Sequence, residues 1–218
     1  MKLRTRLLSI FLAVSLIPLM VFSAVSVTAF ITKSGKDTYQ LNESKLKIAE
    51  AEINWLIEES FNLLNTISSQ PSVRNFDVTN IKKILRKASE INSDIVIALA
   101  NIKGDQVIKS NDDELANLGD REYFQQVING NERYVSNVLS EKITEKLMVV
   151  LSIPARDLAD KIVGILQANI YLSVIGDLVA DLSEDGSTVY VLSGDGKVMA
   201  HPNAEYMQNR EDFSALDF

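Results

Sequence analysis

From position 7 to position 31 the chain reads LLSIFLAVSLIPLMVFSAVSVTAFI, 25 residues without a single charge. A helix rises about 1.5 Å per residue, and crossing a bilayer core takes roughly 20 apolar residues. The stretch is therefore long enough to span. Pro18 sits in its middle, which a lipid-embedded helix tolerates better than a soluble one. The competing reading is a cleaved signal peptide, with Ser23-Ala24-Val25 as a small-residue cleavage region. Signal cores are only about 7–15 residues long, so the length favours an uncleaved anchor. Lys2, Arg4 and Arg6 precede the span, and residues 1–31 contain no acidic residue. The positive-inside rule then puts residues 1–6 in the cytoplasm and the chain from residue 32 onward outside.

That outer part holds 19 of the 22 basic residues and all 29 acidic ones, so it is more acidic than the whole chain at −7. An electrostatic nucleic-acid partner does not fit this balance. The chain has no cysteine and one histidine, His201, which removes disulfides, thiolate metal sites and thiol nucleophiles. No cofactor or metal is expected, and a lone His201 before Pro202 reads as a loop or structural residue. An anchored envelope hydrolase is the reading from a different class. It would need a nucleophile–base pair, and only hydroxyls and carboxylates are left to supply one. The adjacent pairs Glu58-Glu59 and Asp112-Asp113 do not share a helix face and read as solvated charge. The chain is therefore not expected to be an enzyme. An exported, acidic, cysteine-free domain suits the inner membrane of a bacterium, facing the envelope.

After the span, residues 34–69 contain no proline and predict one long helix that ends near Pro71. Lys33 and Lys36 mark the membrane interface. Leu46, Ala49, Ile53, Leu56, Leu63 and Ile67, with Ser60 in one slot, form a heptad-like stripe that predicts a homodimer. Trp55 lies beside the stripe and reads as a half-buried packing residue. If span and helix join without a break, displacement outside becomes displacement inside; the alternative is a plain tether.

Residues 75–184 read as a compact module. A helix over 77–91, capped by Asp77 or Thr79, precedes a hairpin over 95–108 that turns at Lys103-Gly104-Asp105. A short helix over 120–128, three strands over 134–139, 146–153 and 161–171, and a helix over 173–182 capped by Ser173 follow. Short polar connections predict antiparallel neighbours, hence an α+β fold. Shifting the chain by 92 positions lays Val96–Ala100 on Thr188–Leu192 and Gly104 on Gly196, so residues 185–218 read as the start of an incomplete second module. The Gly194-Asp195-Gly196 turn is no phosphate loop, because no helix and no Lys-Ser/Thr pair follows it.

At these residues the chain resembles the double Cache sensor regions of bacterial transmembrane receptors, above all methyl-accepting chemotaxis proteins. The resemblance rests on the basic start and span, the helix over 34–69 and Gly119-Asp120-Arg121-Glu122-Tyr123-Phe124. It continues through Tyr134-Val135-Ser136, the strand over 147–154, Gly164-Ile165-Leu166-Gln167-Ala168-Asn169-Ile170, and Gly194 to Asn203. It implies an extracytoplasmic sensor whose membrane-distal PAS-like module binds a small molecule and whose output is chemotactic signalling. A sensor histidine kinase or a cyclic-dinucleotide enzyme is the alternative output. It also implies a site at Arg121, Tyr123, Phe124, Tyr134, Ser136 and Asn169. An arginine beside aromatics makes a carboxylate clamp. Members that bind amino acids resemble Arg-x-Trp-Tyr here, with an Asp where this chain has Asn169 and often an acid where it has Ser136. An ammonium wants a buried anion, so these departures favour a small organic acid or other polar metabolite over an α-amino acid.

Overall fold

The computed structural model describes residues 2–93, 95–183 and 186–215. The chain divides into two compact units, Met1–Lys47 and Ile48–Phe218. The first helix, α1, is assigned from Lys2 to Ser68 and contains Pro18. In the first unit, the described apolar side chains between Leu7 and Ile31 are exposed. One stretch of α1 is long and apolar enough to cross a membrane, a property that a leader peptide near an N-terminus shares.

In the second unit the end of α1 is followed by α2 (Pro71–Arg74) and α3 (Val78–Ile91). The Asp77 side chain accepts from the Asn80 N–H and caps α3, so the cap is Asp77 and Thr79 lies inside the helix. A six-stranded antiparallel sheet follows, built from β1 (Ile95–Asn101), β2 (Gln106–Lys109), β3 (Tyr134–Val135), β4 (Leu139–Ser140), β5 (Leu147–Arg156) and β6 (Ile162–Tyr171). Its order is β2-β1-β6-β5-β3, with β4 also on β5. The single strand expected over 134–139 is two short ones. Ser136 breaks it: its hydroxyl donates to the Asn137 carbonyl and accepts from the Val150 N–H, replacing a ladder partner.

Because successive strand side chains alternate faces, each strand contributes to two layers. On one face Ile97, Leu99, Leu151, Ile153, Leu166 and Ile170 pack with Phe61 and Leu64 of α1, Val73 of α2 and Ile81 and Leu85 of α3. Burying each such side chain contributes about 1.5–3 kcal/mol relative to exposure. The stripe expected on α1 is partly corrected here. Ala49, Ser60 and Ile67 are buried, but Leu46 is 58% exposed, and Phe61 and Leu64 carry the contact. The buried part of that stripe is spent on the sheet rather than left for a second chain. Trp55 is 66% exposed, against the packing role expected of it, because it lies off the face that meets the sheet.

The opposite sheet face meets α4 (Glu122–Ile128) through Tyr123, Phe124 and Val127, packed with Ala100, Met148, Val150 and Ile165. After β6 comes α5 (Leu172–Leu182), where Ser173 sits inside the helix rather than capping it. The last elements are β7 (Val191–Leu192), β8 (Val198–Ala200) and α6 (Ala204–Asn209), with β7 and β8 forming a separate hairpin. The 92-residue repeat has a structural counterpart. Gly104 and Gly196 both take positive φ, +87° and +79°. Gly104 O accepts from the Leu118 N–H as Gly196 O accepts from the Phe213 N–H.

Candidate ligand-binding site

Register places polar side chains on the α4 face of the sheet. Ala98 pairs with Lys109 on one side and Gln167 on the other, and Gln167 pairs with Ser152. Lys109, Gln167 and Ser152 thus share one row across four strands, with the small Ala98 between the first two. Asn169 stands one pleat along from Gln167. Against this row pack Arg121, the residue before α4, and Tyr123 within it. Residues 141–146, between β4 and β5, close the space as a strap in which Glu145 takes positive φ, 59°.

The resulting cleft is lined by Gln106, Lys109, Arg121, Tyr123, Glu141, Lys142, Gln167 and Asn169, together with apolar neighbours. Its open interior is about 10 Å³, room for roughly one water. Two larger grooves lie elsewhere in this unit. One of about 280 Å³ is lined by Ser68, Arg74, Glu132 and Arg156. The other, of about 570 Å³, is lined by Lys146, Tyr171, Ala204 and Met207. Neither contains a buried ion pair; the small cleft does.

Lys109 Nζ lies 3.1 Å from Glu141 Oε1, with the side chains only 2% and 5% exposed. Glu141 Oε2 accepts from Thr144 Oγ1 and, at 3.0 Å, from the Tyr171 hydroxyl. Burial pushes the Glu141 carboxyl up, but the bonds from Thr144, Lys109 and Tyr171 outweigh it and hold the group below its ordinary range. Burial, then the Glu141 charge, raises the Tyr171 phenol. Burial lifts Tyr123 to about 12, against the opposing pull of Arg121. Both phenols are therefore neutral hydrogen-bonding groups. Gln167 Nε2 donates to Asn169 Oδ1 at 2.9 Å, while Gln167 Oε1 is buried without a partner.

Arg121 donates to the Ser140 carbonyl at 2.9 Å. Its sequence neighbours are engaged elsewhere: Asp120 with Lys142, and Glu122 with the Tyr134 hydroxyl at 2.7 Å. A simple surface pair between Arg121 and its neighbours is thus not what forms. Of the six residues that the sequence singles out, Arg121, Tyr123 and Asn169 meet at the cleft. The other three do not line it. Phe124 is buried in the core under α4, Tyr134 packs at the edge of that core, and Ser136 serves the backbone between β3 and β4. Lys109, Glu141, Gln167 and Tyr171 were missed. The alternation of Gln167, Asn169 and Tyr171 in β6 could have shown three of the polar groups on one face. No local signal marks Glu141. His201 accepts the Asn203 N–H on Nδ1 and packs among Tyr206, Tyr190 and Phe213. No group of side chains that could hold a metal is found among the described residues.

A family model described as the Cache domain matches residues 26–216. The chain belongs to the Cache domain family. Solved structures share the fold of this Cache chain at low identity. The Campylobacter jejuni chemoreceptor Tlp3 sensory domain with isoleucine bound is 16% identical, with a TM-score of 0.66 over 88% of this chain and 78% of that one. The ligand-binding domain of Pseudomonas fluorescens chemoreceptor CtaA in complex with L-serine is 16% identical, with a TM-score of 0.63 over 82% and 77%. An extracellular ligand-binding receptor from Desulfohalobium retbaense is 14% identical, with a TM-score of 0.67 over 77% of this chain but 32% of that one. No curated protein matches the chain. The chain thus shares its fold with the ligand-binding domains of two chemoreceptors.

Proposed function

We propose that this chain is the extracytoplasmic input region of a membrane-anchored chemoreceptor that senses a small molecule bearing a carboxylate. Residues 7–31 span the membrane, residues 1–6 face the cytoplasm, residues 75–184 form the membrane-distal ligand module, and residues 185–218 open a membrane-proximal one. Two copies associate through the long helix over 34–69, where the exposed Ile48 and Trp55 supply apolar surface. Ligand in the distal module shifts it between two packings and so biases the helix.

The observation that carries the reading is Arg121 lining a cleft of buried polar groups on a Cache sheet, its guanidinium donating to the neutral Ser140 carbonyl. A carboxylate is the stronger acceptor for a guanidinium, since charge-assisted bonds are roughly twice as strong as neutral ones. The test is thermal melting of the full chain in detergent against amino acids, hydroxy acids and other polar metabolites. A carboxylate ligand should raise Tm in proportion to RT ln(1 + [L]/Kd). Arg121→Ala should weaken it at least ~10-fold, the loss of one charge-assisted bond. A panel that leaves Tm unmoved, or an Arg121→Ala chain with unchanged affinity, overturns the assignment. For topology, a membrane-impermeant maleimide should label Ser173→Cys in intact cells.

A further inference from the structure

Both carboxylate oxygens of Glu141 are already engaged from within the chain. Oε1 takes the Lys109 ammonium, and Oε2 takes the hydroxyls of Thr144 and Tyr171. A carboxylate offers about four lone-pair sites, and the strongest donor available to it here is Lys109. We propose that the Lys109 ammonium stands where the ammonium of an amino-acid ligand would otherwise sit, so that this cleft selects small 2-hydroxy monocarboxylates and rejects their 2-amino counterparts. The inference rests on the receptor reading above and names the ligand class of that same site.

Three observations converge on it. The first is charge. Lys109 and Glu141 cancel, and Lys142 is paired with Asp120. Arg121 is left facing a neutral carbonyl, so of the three cations in the lining it is the one without a carboxylate in ion-pair contact among the described residues. A ligand with one carboxylate and no amine meets it. An ammonium brought beside Lys109 would be repelled at short range by a like charge in a buried site, where screening is weak. The second is the orphaned acceptor. Gln167 Oε1 accepts no hydrogen bond by geometry, although the Tyr123 phenol interacts with the same amide group, and a buried unpaired acceptor destabilises. A hydroxyl beside the ligand carboxylate supplies the missing donor without adding charge. The third is size. With the strap closed the interior is about 10 Å³, so a ligand enters only as the strap yields, and a small one displaces least.

Sequence alone points to an organic acid for a different reason, the loss of acids at positions 136 and 169. The structure shows that an acid is present after all, on the strap, and that what withholds it from a ligand is Lys109. Lys109 is therefore a specificity residue, and its removal should change which ligands bind.

The experiment is calorimetry and thermal melting of the full chain in detergent with L-lactate, propionate and L-alanine. L-lactate should bind at least ~10-fold tighter than L-alanine, and ~5-fold tighter than propionate, which lacks the hydroxyl. Lys109→Met frees Glu141 and should raise the preference for L-alanine over L-lactate at least ~10-fold. Lys109→Met/Glu141→Gln, with both charges gone, should lose that gain. If Lys109→Met does not fold, Glu141→Gln serves instead: it frees Lys109 as a second cation and should admit the dicarboxylate malonate at least ~10-fold more tightly than the parent chain does. Binding of L-alanine by the parent chain as tight as that of L-lactate overturns the inference but leaves the receptor reading in place. So does a ligand range that neither substitution alters. Silence of the parent chain toward these three overturns the inference alone if another metabolite in the broad panel raises Tm; silence toward the whole panel ends both.

Discussion

The two hairpins that the 92-residue repeat relates, β1–β2 and β7–β8, start from the same local code and reach different ends. Both turn through a positive-φ glycine, and both are clasped by a later backbone segment. Isolated bridges join Asp105 to Asn117 in the first and Lys197 to Asp212 in the second. The equivalent position at the end of the return strand is Lys109 in one and His201 in the other. Lys109 lies in a six-stranded sheet, is almost fully buried and meets Glu141. His201 directly follows a two-stranded hairpin and meets three aromatic rings. A turn code fixes a hairpin, but whether the next residue becomes a buried charge depends on how many strands and loops the chain lays around it.

The comparison is broken most sharply at Glu141. Glu141→Ala strands the Lys109 ammonium in the interior, and breaking a buried pair in this way costs about 3–5 kcal/mol. Thermal melting should fall by roughly 6–20 °C for a unit of this size. His201→Gln, at the matching place, should cost several-fold less. Equal losses would mean that the two positions are equally integrated.

The turns come next. A Cβ on Gly104 would meet the Gly119 backbone nitrogen at 2.4 Å, and backbone cannot step aside. A Cβ on Gly196 would meet Ser214 Cβ at 2.6 Å and the Ser214 backbone only at 3.0 Å, a looser approach. Gly104→Ala should cost about 2–3 kcal/mol, and Gly196→Ala about 1–2, mostly for the left-handed backbone. Denaturant unfolding of the two variants orders them. A larger loss at Gly196 would reverse the ranking of the two hairpins.

The smallest expected effect is in pH dependence. Burial holds His201 below its ordinary value of 6.5. The unfolded chain therefore takes up this proton first, so stability is full above 6.5 and is lost as pH falls toward the depressed folded value. Glu141, held below its ordinary 4.5, contributes fully above that value and loses its contribution only as pH falls through its own lower folded value. Between pH 6.5 and 5 the slope of Tm with pH should therefore shrink in His201→Gln and persist in Glu141→Gln. An identical slope in parent and His201→Gln would remove the histidine from the account.

Much of this fold is legible in the sequence because its signals are local. Asp77 announces α3, the near-continuous apolar runs of β5 and β6 announce two long strands, and the glycine at 104 announces the turn between β1 and β2. Trp55 misleads because size suggests burial, whereas the neighbouring Phe61 and Leu64 take the contact with the sheet. Half of the expected site assembles: Arg121, Tyr123 and Asn169 come from α4 and β6, two elements that the pattern locates. Lys109 and Glu141 are 32 residues apart and meet only through sheet register and an irregular strap. Periodicity carries no information about such a meeting. Ser136 was legible as polar, but its role in interrupting a strand depends on the Val150 N–H across the ladder.

The bond from Arg121 to the Ser140 carbonyl has one further consequence. A guanidinium already engaged with an amide oxygen changes hands only for the difference between that oxygen and a charged one. If the cleft binds as proposed, that difference, and not the full strength of the ion pair, sets the concentration at which the molecule begins to respond. Exchange of one acceptor for another also spares either state a naked cation, so what such a detector gives up is grip.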